Sequence, residues 1–172
     1  MDNGQILLNT GDGKGKSTAA FGVVARALGH GKKVCVIQFI KSPGDYGEVS
    51  FFRDEKKIEW YIEGRGFTWK SEDLKNDKLL AQKGFELAKK KILSAEYDLI
   101  VLDEVTYLTN YDFIEIEELL DTLKNKPENL DIILTGRNAD TKIVEIADTV
   151  TEMLKIKHAF DNGIKAKKGL EI

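Results

Sequence analysis

At 172 residues, with 42% hydrophobic and 32% charged side chains, the chain has the composition of a globular domain of ordinary size, which excludes a disordered or low-complexity polymer. A net charge of −3 and a pI near 5.5 supply no broad basic field for a nucleic-acid backbone. No apolar run approaches the roughly 18 to 20 residues of a membrane-spanning helix, and Met1-Asp2-Asn3-Gly4 lacks the basic and apolar regions of a signal peptide, so a cytoplasmic location and no membrane partner are expected.

The first element is the apolar run Ile6-Leu7-Leu8, a buried strand leading into Thr10-Gly11-Asp12-Gly13-Lys14-Gly15-Lys16-Ser17-Thr18. Glycines 11, 13 and 15 let the backbone turn tightly and direct successive N–H groups toward an anion, with the positive end of a helix behind them. At this spacing Lys16 reaches the outer phosphates of a nucleotide and the Ser17 hydroxyl ligates Mg2+. The general pattern G-x-x-x-x-G-K-[ST] asks for glycine at position 10, where this chain has Thr10.

The helical pattern from Ser17 to about Leu28 stops at Gly29-His30-Gly31. Lys33 to Ile40 is a nearly continuous apolar run, as expected of a parallel strand covered on both faces, with Cys35 as a small core side chain. A long loop, Lys41 to Glu48, follows where α/β proteins place ligand contacts. Lys57 to Ile62 alternates as a short strand, and Glu63 to Trp69 is a glycine-bounded loop. Ser71 to about Leu93 is a long polar helix, whose Lys89-Lys90-Lys91 reads as a solvated face. Tyr97 to Glu104 is a strong strand, Phe113 to Leu123 a helix, Leu130 to Thr135 a strand, Asp140 to Ala147 a helix and Thr149 to Ile156 a last strand. This alternation predicts one α/β domain over 1–172, a mostly parallel sheet with helices on both faces.

An apolar strand ending in Asp103-Glu104 is the expected partner of a phosphate loop, its carboxylates holding Mg2+ directly or through water; the alternative is a helix start favoured by acidic residues. Arg137, after a strand and a glycine, is either a second cation on the phosphates or half of a structural ion pair. His30 and His158 are not spaced as a metal pair, and no serine nucleophile elbow or His-based triad is visible. Phe67 and Trp69 stand two apart in the glycine-bounded loop, which suits either loop packing or a flat apolar ligand.

The loop from Thr10 to Gly22, Arg26-Ala27, Gly29-His30-Gly31, Gln38-Phe39-Ile40-Lys41 and Gly47-Glu48 together resemble the ATP:corrinoid adenosyltransferases of the phosphate-loop type. The resemblance continues through Gly66-Phe67-Thr68-Trp69, Leu102-Asp103-Glu104, Thr135-Gly136-Arg137, Ala147-Asp148, Lys157-His158-Ala159-Phe160 and Gly163-Ile164-Lys165-Ala166, covering nearly the whole chain. The loop without its first glycine is itself the family's form.

The resemblance implies a RecA-like nucleotide-binding fold and transfer of the 5′-deoxyadenosyl group of ATP to Co(I) of a reduced corrinoid, with release of triphosphate, in adenosylcobalamin biosynthesis or salvage. It implies ATP contacts from Gly11, Asp12, Gly13, Lys14, Gly15, Lys16, Ser17, Thr18 and Arg137, and Mg2+ at Ser17, Glu104 and Asp103. Phe67 and Trp69 would crowd the lower face of the corrin, favouring four-coordinate Co(II) that is easier to reduce. Lys16, Phe67, Trp69 and Glu104 would then carry catalysis. It further implies a homodimer and an electron donor such as a flavoprotein. Ser17 stands where threonine is frequent and keeps the hydroxyl, and Ser42 where glycine is frequent. Some relatives carry a longer polar N-terminal arm over the active site, whereas few residues precede the first strand here. An ATP hydrolase and a nucleotide-dependent binding module are the competing readings of the loop.

Overall fold

The protein is described here by a computed structural model, covering residues 3–66 and 74–171. Among these described residues six strands form one sheet: β1 (Ile6–Thr10), β2 (Val34–Phe39), β3 (Ile58–Glu63), β4 (Leu99–Asp103), β5 (Asp131–Thr135) and β6 (Thr149–Glu152). Their order is β3-β2-β4-β5-β1-β6, and every pair is parallel. The expectation of a mostly parallel α/β sheet is met, in an arrangement consistent with a RecA-like phosphate-loop fold.

The burial explains the apolar runs. Every residue of β2 and of β4 is buried, because both strands lie inside the sheet with helices on either side. Along each strand alternate side chains enter two cores. Leu8, Ile37, Leu102 and Leu134 face the helices α3 (Leu74–Leu93), α5 (Ile116–Lys124) and α6 (Thr141–Ile146). Val36, Val101 and Ile133 face α1 (Lys16–Gly29), which contributes Ala20, Phe21 and Val24. On this second face Trp60 packs between Phe21 and Phe52, with ring centroids 5.1 and 5.9 Å away.

Two short helices occupy stretches that carry no long periodic pattern: α2 (Gly47–Phe52) and α4 (Thr106–Asn110). The last strand is shorter than its apolar pattern predicts. It ends at Glu152 because Met153 turns onto the loop after β1, its carbonyl accepting from the Gly13 N–H at 2.6 Å. A 3-10 turn (Ala159–Asn162) follows. The expected helix start at Ser71 lies outside the described residues. The lysine run is not simply solvated: Lys89 pairs with Glu118 at 2.6 Å and with Glu86, while Lys91 bonds Glu59 at 2.7 Å and the Tyr97 hydroxyl at 2.9 Å, joining α3 to β3 and α5. Among the described residues no helix is long and apolar enough to cross a membrane.

The topology leaves a crevice at the carboxyl edge of the sheet. The chain leaves β1 toward α1 on one face and leaves β4 toward α4 and α5 on the other, and β5 lies between these two strands. Loops that part to opposite faces open a cleft above the intervening strand, where ligands of such sheets bind.

Helix α3 lies close against the sheet at Gly84, where a Cβ would lie 2.8 Å from Glu63 Cβ and 3.2 Å from the Phe39 ring. Gly84→Val should therefore destabilise the fold by about 2 kcal/mol or more. Gly22→Ala, on the exposed side of α1 with nothing within 4 Å of the added methyl, should stabilise it by about 0.5–1 kcal/mol. Urea midpoints check the pair, and shifts of the same sign would contradict this account.

Candidate functional site

The loop after β1 is shaped by two close constraints. Gly15 has φ +120°, a left-handed conformation that caps α1, and its carbonyl accepts the first helical bond from the Ala19 N–H at 2.7 Å. At Gly13 a Cβ would lie 2.6 Å from the Met153 carbonyl oxygen, so only glycine lets the loop rest on the segment beyond β6. Met153 in turn donates its N–H to the Thr10 carbonyl at 2.9 Å.

Lys16 folds back into this loop. Its ammonium donates to the carbonyls of Gly11 at 2.8 Å and Gly13 at 2.7 Å, and the residue is 8% exposed. Burial lowers its pKa from the ordinary lysine range and Arg137 acts in the same direction, against the carboxylates of Glu104, Asp12 and Asp103. Asn9 steadies the start of α1, its Nδ2 donating to the Lys16 carbonyl at 3.3 Å. The loop therefore surrounds a desolvated cation at the amino end of a helix, and an anion entering it meets both.

Across the end of β5 lie Asp103 and Glu104. Asp103 is fully buried and bonded at both oxygens: Oδ1 accepts from the Thr135 hydroxyl at 2.7 Å, and Oδ2 from Gln38 Nε2 at 2.9 Å with Lys41 Nζ at 3.2 Å. Glu104 has φ +63°, uncommon for a residue with a Cβ, and its N–H donates to Thr135 Oγ1 at 2.8 Å. Its Oε2 is buried without a hydrogen-bond partner. Burial, and then the neighbouring Asp103 charge, push the Glu104 carboxyl up to about 7, with Lys41, Lys16 and Arg137 opposing. Ile40, at the end of the adjacent β2, is also left-handed at φ +66°. Left-handed residues that carry side chains thus stand at two neighbouring strand ends.

Arg137 is placed by its backbone: its carbonyl accepts from Thr106 Oγ1 at 2.7 Å and Asn110 Nδ2 at 3.0 Å, both on α4. Its charge acts on both Lys16 and Glu104, lowering the pKa of the one and opposing the rise of the other. Ser17 is the second residue of α1, while Asp12 and Thr18 are exposed around it. Lys14 turns outward, its ammonium held by the Leu170 carbonyl and Glu171 Oε1, each at 2.9 Å. Phe67 and Trp69 lie outside the described residues. Gln38, Lys41 and Thr135 are site residues to which no role attaches from sequence; the available signal was a polar side chain inside each of two otherwise apolar strands.

The comparisons with known proteins agree with this geometry. The chain is 42% identical over 171 residues to the corrinoid adenosyltransferase of Pseudomonas aeruginosa, covering 99% of this chain and 84% of that protein. It is 40% identical over 170 residues to the corrinoid adenosyltransferase of Escherichia coli strain K12, covering 99% and 86%, and 39% identical over 170 residues to corrinoid adenosyltransferase CobA of Salmonella typhimurium, with the same coverage. Residues 2–172 match the family described as ATP:corrinoid adenosyltransferase BtuR/CobO/CobP, and the chain belongs to that family.

Proposed function

We propose that the chain, acting as one phosphate-loop domain, transfers the 5′-deoxyadenosyl group of ATP to Co(I) of a reduced corrinoid and releases triphosphate. The observation that carries this reading is Lys16 seated inside the loop, facing a cleft whose other wall is Glu104. In the transfer the cobalt electron pair forms the Co–C bond to C5′, the C5′–O bond breaks, and its electron pair leaves on the triphosphate. The nucleophile carries no proton, so no side chain has to act as base. What the protein must supply is stabilisation of the leaving group, and Lys16, Arg137 and the loop N–H groups between Gly11 and Thr18, other than that of Gly13 which the Met153 carbonyl holds, are suited to that. Lys14 joins them by exchanging Glu171 for phosphate.

Mg2+ fits the residues present. Among the described residues no cluster of three or more His, Cys, Asp or Glu side chains could hold a metal alone, but Glu104 offers a buried, unpartnered carboxylate oxygen and Ser17 a hydroxyl at the helix start. A site with few protein ligands suits a cation that retains waters and takes its other ligands from substrate phosphates. When bound it offsets charge on the leaving triphosphate. Phe67 and Trp69 are proposed to line the corrin side. The reading extends to a cytoplasmic homodimer supplied with electrons by a donor such as a flavoprotein.

Incubation with ATP, Mg2+ and chemically reduced cobalamin should yield adenosylcobalamin and triphosphate over repeated turnovers; ADP or a single turnover would overturn the proposal in favour of a hydrolase or a carrier. Lys16→Ala should lower kcat/KM by roughly 10²-fold or more. Replacing Phe67 and Trp69 by alanine should weaken formation of four-coordinate Co(II) while ATP binding stays nearly intact, and an unchanged cob(II)alamin spectrum would count against their role.

Glu104 gives a pH prediction. Its raised pKa means that its contribution to stability is fully present below about 4.5 and is lost as pH rises through about 7. Glu104→Gln should thus raise the Tm of the ligand-free protein near pH 8 and change it little near pH 5. The same substitution should remove most of the Mg2+-dependent part of stabilisation by ATP. An equal Tm shift at both pH values would contradict the buried-carboxylate assignment.

A further inference from the structure

We propose that Asp103 is a positioning residue and not a metal ligand, the centre of a hydrogen-bonded row from Trp60 through Gln38 to Thr135 that sets the backbone of Glu104. The inference rests on the proposed role of Glu104 beside Mg2+ and ATP, and departs from the expectation that Asp103 shares the metal.

The row crosses four adjacent strands in their order in the sheet, β3, β2, β4 and β5. Gln38 is paired in register with Asp103, and Leu102 with Leu134, which brings Asp103 level with Thr135. All four side chains emerge on the α1 face, since Val36, Val101 and Ile133, two residues earlier on three of the strands, lie in that core and Trp60 packs on it. Gln38, Asp103 and Thr135 are buried, so each polar atom there needs a partner from within the protein.

The bonds run in one direction. Trp60 Nε1 can only donate, and it donates to Gln38 Oε1 at 2.9 Å. That fixes the amide, so Gln38 Nε2 faces Asp103 Oδ2 as donor at 2.9 Å. Thr135 has a single hydroxyl proton, given to Asp103 Oδ1 at 2.7 Å, which leaves its oxygen to accept the Glu104 N–H at 2.8 Å. The terminus of the row is thus the main chain of a residue held at φ +63°. A left-handed residue with a side chain persists where its surroundings over-determine it, and here the Thr135 acceptor is one of those determinants. Lys41 closes the other side at 3.2 Å from Asp103 Oδ2, immediately after the left-handed Ile40.

The same network argues against Asp103 as a ligand. To turn an oxygen to a cation it would abandon Thr135, or Gln38 and Lys41, in a place without water to replace it. Glu104, with its unpartnered Oε2, makes no such sacrifice. The division of labour is that of a metal site whose outer residues orient the ligand, where losing an outer partner typically costs 10–100-fold in affinity.

The test is Mn2+ binding in the presence of ATP, followed by electron paramagnetic resonance without corrinoid, so that it stands whether or not adenosyl transfer is the reaction. Thr135→Val and Gln38→Leu, neither of which removes a carboxylate, should each weaken Mn2+ binding by about 10-fold or more. ATP affinity without metal should stay unchanged, and Thr135→Ser should restore Mn2+ binding to near the parent value. Should Thr135→Val not fold, Gln38→Leu and the parent-like behaviour of Thr135→Ser carry the comparison. Parent-like Mn2+ binding in Thr135→Val and Gln38→Leu, with loss confined to Asp103→Asn and Glu104→Gln, would overturn the proposal and make Asp103 a ligand.

Discussion

A carboxylate with no exposure to water has to be bonded at every oxygen, and Asp103 at the end of β4 is the group on which this constraint falls hardest. Its partners come from the strands on both sides, Gln38 on β2 and Thr135 on β5, so satisfying it ties three strand ends together at one level of the sheet. Glu104 inherits its position from that arrangement, because its N–H has Thr135 as acceptor. Buried polar networks are costly when partly satisfied and rigid when complete. Here the complete network stands where the chemistry needs rigidity, beneath the cleft between the β1 loop and the β4 end.

On the other wall the loop does with backbone what the row does with side chains. It turns carbonyls of Gly11 and Gly13 onto the Lys16 ammonium, at the amino end of a helix where an anion is favoured. The two walls carry opposite electrostatic bias: desolvation disfavours the charged form of Lys16 on one and of Glu104 on the other. Each destabilised charge is relieved by a polyanion paired with a divalent cation, which gives the pair a common reason to bind together. A grip of this kind is indifferent to which bond of the nucleotide breaks. The proposed attack at C5′ makes the whole triphosphate the leaving group, and so uses every contact in the loop.

Much of this was legible from residue order. Continuous apolar runs identified β2 and β4 because those strands are buried on both faces, and the spacing of glycines, Lys16 and Ser17 located the loop and the start of α1. What escaped was set by contacts between distant residues. The residue pattern predicts β6 as far as Ile156, but Met153 leaves the sheet to rest on Gly13. Nothing in the spacing around Lys14 says that its ammonium meets the Leu170 carbonyl and Glu171, more than 150 residues away. The helices α2 and α4 are too short to show a period. Gln38 was visible as a polar residue in an apolar strand, but nothing in spacing says that it stands between Trp60 and Asp103.

In the proposed reaction the loop holds a leaving triphosphate while carbon, and not phosphorus, is attacked. ATP carrying oxygen-18 in the bridge between C5′ and the α-phosphate tests it directly, with mass analysis of products after turnover with reduced cobalamin. Scission of the C5′–O bond leaves all of the label in triphosphate and none with the adenosyl group, which is the predicted result. Label retained on the nucleoside, or divided between the products, would mean that a phosphorus–oxygen bond is cut and would contradict the account.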